Sequence, residues 1–197
     1  MPASFSRAAS SDCAIARLCQ AIDAAFDTCD DAQDPSLHAS FARGVRAALA
    51  EAAADPALLT DAQREGAANG YRRHLLAADP LGRYAIAAIV WMPGQASPIH
   101  AHHTWCGYAV IDGTMTETVY EWNPASECAT PLREHSREPG AVSFTRAGRT
   151  GIHRLGNSNS SGKAAVSLHI YGVPGERIAS HVNDIVRIAD SAQALLA

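Results

Sequence analysis

The chain is predicted to fold as a small β-barrel of jelly-roll type, mainly β, with α-helices from its first third packed on it. Three observations predict this. After Pro80 the sequence breaks into short apolar runs separated by Gly, Asn and Ser clusters, the pattern of an antiparallel sandwich or barrel. Before Pro80, apolar residues recur at steps of three and four, as on amphipathic helices. The chain has 197 residues, 47% hydrophobic and 18% charged, which suits one domain whose core needs no disulfides. A single domain over 1–197 is expected, with 1–70 as its helical segment and 71–197 as the barrel that carries the site.

The elements follow in order. Ile15, Leu18, Ile22 and Phe26 make one stripe, with Asp12 as its N-cap. Leu37, Phe41, Val45 and Leu49 make a second, after the turn-like Asp34-Pro35-Ser36. A third short helix is expected over 58–69, ended by Gly70. Strands are expected over 84–91, 105–111, 115–122, 141–145, 151–155 and 164–171. Pro93-Gly94 stops the first, and Asp112-Gly113 is expected to join the second and third as a hairpin. The tail from Glu176 fits helix or strand equally well.

Composition excludes several classes. The formal net charge of -4, from 20 acidic and 16 basic residues, leaves no electrostatic footprint for nucleic acid or an anionic membrane. No apolar run approaches a membrane span, and the N-terminus does not read as a signal peptide. No nucleic-acid or membrane partner is expected. The cysteines (Cys13, Cys19, Cys29, Cys106 and Cys128) are odd in number and form no CxxC pair. That argues against a disulfide framework or zinc ribbon and for a reducing cytoplasm.

Three histidines have a geometric reason to be together. His100 and His102 are two apart, so a strand turns both to one face. His153 lies in a later strand and can supply a third imidazole. Three protein ligands leave coordination positions open, as a catalytic metal needs. Neutral imidazoles accept Fe, Zn, Cu or Ni alike. An HxH pair alone also fits strand histidines without a ligand role. His103 would face away from His102, behind the ligands or at the surface. Downstream, Ser167, His169 and Tyr171 alternate on one strand face and can pass a hydrogen bond from hydroxyl to imidazole to phenol. The same pattern also fits a strand whose polar face meets solvent.

The spacing Gly94-x5-His100-x-His102-x3-Cys106-x6-Gly113 resembles the first cupin motif, with Cys106 where Glu is usual. His153 followed by Asn157 resembles the end of the second motif, although Arg146-Ala147-Gly148 stands where that motif has PxG. Cupins host many activities, so this likeness alone implies only the fold. More specifically, the run 165–171 resembles the Ser-His-Tyr strand of cysteine dioxygenase and its bacterial thiol dioxygenase relatives. The run 113–122 resembles the family's hairpin segment, and 71–75 its segment with a substrate-binding Tyr and Arg.

The resemblance implies His100, His102 and His153 as ligands of one Fe(II) per chain. It implies Tyr71 and Arg73 as binders of the substrate carboxylate, and Ser167, His169 and Tyr171 as a hydrogen-bonded triad beside the metal. Cys106 matches the mammalian cysteine that is thioether-linked to the tyrosine matching Tyr171, but the loop from His102 is one residue shorter here. The implied partners are a small thiol and O2, with both oxygen atoms going to sulfur to give a sulfinate. An Arg at position 73 favours L-cysteine, because relatives preferring 3-mercaptopropionate tend to have Gln there. The short loop and Trp105 look more like the mercaptopropionate group. Mercaptosuccinate would need a second cation such as Arg72 or Arg177, for which a surface role is expected. An alternative of another class is a non-catalytic cupin that binds metal or a small ligand.

Overall fold

The computed structural model describes residues 3–29 and 34–188. Helix α1 (Ala3–Phe26) and helix α2 (Ala39–Ala54) precede ten strands. Five of these form one antiparallel sheet in the order β1 (Arg72–Ala78), β2 (Ala85–Trp91), β9 (Ala165–Tyr171), β4 (Cys106–Asp112), β7 (Val142–Thr145). The other five form a second antiparallel sheet in the order β10 (Asn183–Ile185), β3 (His100–His102), β8 (Gly148–Gly156), β5 (Met115–Asn123), β6 (Cys128–Arg137). The fold is mainly β, a cupin barrel with N-terminal helices against its first sheet.

The apolar pattern explains this layering. Strand β2 reads Ala-Ile-Ala-Ala-Ile-Val-Trp and is buried at every position, because both its faces are covered. Ile86, Ala88 and Val90 pack outward against α1 and α2, with Val166, Leu168 and Ile170 of β9 beside them. Ala87 and Ile89 face inward toward the second sheet. On the helices, Leu18 and Ile22 of α1 meet Phe41, Val45 and Leu49 of α2 over this outer face. Gly107 of β4 lies under α2, and a Cβ there would come within 2.8 Å of Leu49 Cδ1. Arg83 ties α1 to the strands beside it, paired with Asp23 at 2.6 Å and Asp79 at 2.8 Å.

Several expectations are corrected. Helix α1 starts at Ala3, so Asp12 lies inside it and caps nothing. Leu37 ends a 3-10 turn (Pro35–Leu37) and is exposed, outside the buried stripe of α2. Residues 58–69 form no α-helix; only the turn Ala62–Arg64 is helical, and Leu58 and Leu59 are buried without one. Asp112-Gly113 joins no hairpin: β4 and β5 belong to different sheets. The turn chemistry is right, with Gly113 at φ 70. A Cβ there would come within 2.9 Å of the Ala165 backbone, so the chain turns tightly past β9 and crosses over. Strands β1, β6 and β10 were not predicted. The tail beyond Ile188 lies outside the described residues.

Candidate metal centre

His100, His102 and His153 come together inside the sandwich. Strand β3 pairs with β8 so that His100 sits opposite His153. The three ring centroids are 4.7 to 5.1 Å apart, and the candidate ligand nitrogens lie within 4.8 Å of one another. All three residues are buried. Burial, then the neighbouring His153, pulls His100 down to about 3, and burial likewise holds His102 well below the usual range. Both rings are therefore neutral near pH 7, the form that ligates a metal.

Hydrogen bonds orient two of the rings. His100 Nδ1–H donates to the Pro98 carbonyl at 2.9 Å, which leaves Nε2 with its lone pair. His153 Nδ1–H donates to Glu117 Oε1 at 2.7 Å, with the same result. Burial would raise the Glu117 carboxyl, but the hydrogen bond from His153, then Tyr108 and the Arg137 charge, outweigh it and hold it low. Glu117 was not singled out in the sequence. The signal was there: Met115, Glu117 and Val119 alternate on β5, so a carboxylate stands between two apolar side chains on the inner face. We expect Glu117→Gln to weaken metal retention about tenfold, read by competition with a chelator, because the acceptor loses its charge. Unchanged affinity would rule out this positioning role.

A cavity of about 330 Å³ opens on the histidines. Tyr71, Arg73, Cys106, His169 and Tyr171 line it, so most of the side chains singled out in the sequence meet here. Arg73 lies between two rings, its Cζ 6.0 Å from the Tyr71 centroid and 5.9 Å from that of Tyr171. Its Nε is buried and has no hydrogen-bond partner among the described residues. Cys106 and Tyr171 are directly opposite across β4 and β9, which puts their side chains on one face. Asn183, opposite His102 on β10, also lines the cavity and was missed, because β10 itself was missed. His103 is exposed, as are Arg72 and Arg177, and none of the three lines the cavity.

Strand β9 is buried throughout, so its polar face points inward and not to solvent. Ser167 Oγ lies 2.8 Å from His169 Nε2, and His169 Nδ1 lies 3.1 Å from the Tyr171 hydroxyl. Trp91 anchors the far end of this chain. Its Nε1–H can only donate, and it donates to Ser167 Oγ at 2.9 Å. The ladder thus runs from the Trp91 indole through Ser167 and His169 to the Tyr171 hydroxyl, which lines the cavity. Burial, then the Arg73 charge, keeps His169 neutral. Burial also pushes Tyr171 well above the usual phenol range, so it remains a donor. Asn157, of the second cupin-like motif, is a clamp: its Nδ2 donates to the Trp91 and Lys163 carbonyls at 2.9 and 2.7 Å.

A family model described as cysteine dioxygenase type I matches residues 64–183, a span holding Arg73, the three histidines and the whole Ser167-to-Tyr171 ladder. The chain belongs to that family. Membership of that family supports a dioxygenase oxidoreductase activity on a thiol, and the buried three-histidine group fits a metal centre. Among solved structures, the chain is similar to the TT1209 protein from Thermus thermophilus, at 20% identity over 58% of this chain and 96% of that one, TM-score 0.44. It is also similar to an RmlC-like cupin with a double-stranded β-helix fold from Methanocaldococcus jannaschii, at 16% identity over 59% and 92%, TM-score 0.41. No helix of this family member is long and apolar enough to cross a membrane, within the described residues.

Proposed function

We propose that the chain is an Fe(II)-dependent enzyme that oxidises L-cysteine to cysteine sulfinate, RSH + O2 giving RSO2⁻ + H⁺. The observation that carries this reading is the Arg73 guanidinium. It is held between Tyr71 and Tyr171 with a buried, unpartnered Nε, in the same cavity as the three imidazoles. A buried donor without an acceptor suits a ligand that brings one, and a guanidinium fork matches a carboxylate.

The donor set fits iron. His100, His102 and His153 would hold one ion per chain, with two of the rings already presenting Nε2. Iron(II), when bound, would supply redox activation of dioxygen and open coordination positions, while the electrons that reduce dioxygen come from the thiol sulfur. Arg73 would bind and orient the substrate carboxylate, with Tyr71 confining it from the side. Tyr71 is itself held by Trp91, ring centroids 4.5 Å apart. Ser167 and His169 would hold the Tyr171 phenol in place beside the reacting groups. Cys106, whose thiol burial pushes up, stays protonated beside Tyr171 and would shape the cavity wall. Five free cysteines suit a reducing cytoplasm as the place of action.

The same reaction on 3-mercaptopropionate or mercaptosuccinate is the second reading. The short His102–Cys106 loop favours it. The exposure of Arg72 and Arg177 leaves a second substrate carboxylate without either of those cations. Oxygen uptake by the Fe(II)-loaded protein with the three thiols tests both. We expect kcat/KM to be highest for L-cysteine and to fall about 100-fold in Arg73→Gln, the scale of one lost charge-assisted carboxylate pair. A higher kcat/KM for either of the other two thiols would replace the assignment. No sulfinate from any of the three would end it.

A further inference from the structure

The histidine cluster has a second side. An open cleft of about 770 Å³ lies between β6, the edge of one sheet, and β7, the edge of the other. His102, Cys106 and His153 border both this cleft and the thiol cavity, so one imidazole wall separates two chambers. The period of two on β6 turns Arg133, His135 and Arg137 into the cleft. Glu134 faces the other way and meets Thr118 at 3.0 Å. Ser143 and Thr145 of β7 face the arginines with hydroxyls.

The charges in the cleft do not cancel. Glu117 is the one acid lining it among the described residues, and it is already engaged. His153 Nδ1 is 2.7 Å from its Oε1, while His135 Nε2 and Arg137 Nε are 3.1 and 3.6 Å from its Oε2. Arg137 Nε and Nη2 are buried without a hydrogen bond among the described residues, so the Glu117 pairing leaves guanidinium donors unused. Arg133 makes no ion pair with a carboxylate among the described residues. Two guanidinium groups against one occupied carboxylate, in a concave site with hydroxyls opposite, form a receptor for an anion.

We propose that this cleft is a second ligand site, which takes a small oxyanion (carboxylate, sulfinate or phosphate) between Arg133 and Arg137. The anion lies across the His102–His153 wall from Arg73, so it does not compete with a carboxylate held there. It also lies beside Glu117, which orients His153, so its charge acts on the metal centre from behind.

Calorimetric titration of the metal-loaded protein at low ionic strength tests this, with inorganic phosphate in one arm and methanesulfinate in the other. The tighter of the two identifies the dianionic or the monoanionic source. The variants are Arg133→Met and Arg73→Met. Arg133 is exposed on an edge strand, so its substitution is expected to leave the circular dichroism and metal content unchanged. At least one anion is expected to bind wild type and Arg73→Met with the same Kd, and Arg133→Met at least about tenfold more weakly. The proposal is overturned if neither anion binds, or if Arg133→Met leaves the Kd unchanged, as an anion sitting on the metal would. Loss of binding in Arg73→Met alone also overturns it. Calorimetry needs no turnover, so these outcomes are separate from the question of which thiol is oxidised.

Discussion

His102→Ala is expected to leave the protein without its metal and to lower thiol oxidation by at least about 10³-fold, the scale on which a metal-dependent step is lost. His102 is 2% exposed and stands within reach of both His100 and His153. Two neutral imidazoles hold a divalent ion far less firmly than three, and among the described residues no carboxylate or thiolate belongs to the cluster to make up the loss. Its backbone pairing with Gly148 and Asn183 does not need the side chain, so the barrel is expected to keep its circular dichroism. Iron content by colorimetric chelation and oxygen uptake, measured on the same preparation, check the result. Full iron content in the variant would move the site away from this cluster.

The second large effect is on stability. Phe41→Ala is expected to cost about 3–5 kcal/mol, as for a phenylalanine removed from a packed core. Phe41 has no exposed surface and sits where α2 meets the first sheet. Its ring meets Trp105 edge-on at 5.0 Å and 82°, Phe26 at 4.9 Å and Phe144 at 6.1 Å, so truncation leaves three aromatic edges around a void. Leu37 is the control. The sequence places it on the same stripe, yet it is 56% exposed, and Leu37→Ala is expected to shift stability by less than about 0.5 kcal/mol. Urea unfolding of the two variants checks both numbers. Equal losses would mean that α2 carries its apolar face differently from the structure described above.

The contrast between Phe41 and Leu37 shows how far pattern alone reaches. Both satisfy the helical period, and only the 3-10 turn at Pro35–Leu37 takes one of them off the buried face. Asp112-Gly113 is similar. Its dipeptide specifies a tight turn, and a tight turn is present, but the strands on either side join different sheets. A hairpin and a crossover share local chemistry and differ in which distant strand wins each edge. Strand β4 pairs with β9 and β7, and β5 with β8 and β6, all far away in the chain.

What the sequence determined by itself is local and periodic. The HxH spacing put two imidazoles on one face, the alternation of 167, 169 and 171 put the Ser-His-Tyr ladder on one face, and the helical stripes marked most of the outer core. Those follow from the backbone repeat, which operates over a few residues. What only the tertiary structure decided is everything that depends on non-local pairing. It brought Glu117 of β5 behind His153 and Trp91 behind Ser167, and it opened a cationic cleft on the far side of the metal wall. Each of these joins residues from separate strands through burial and register, and neither quantity is written in the spacing of one segment.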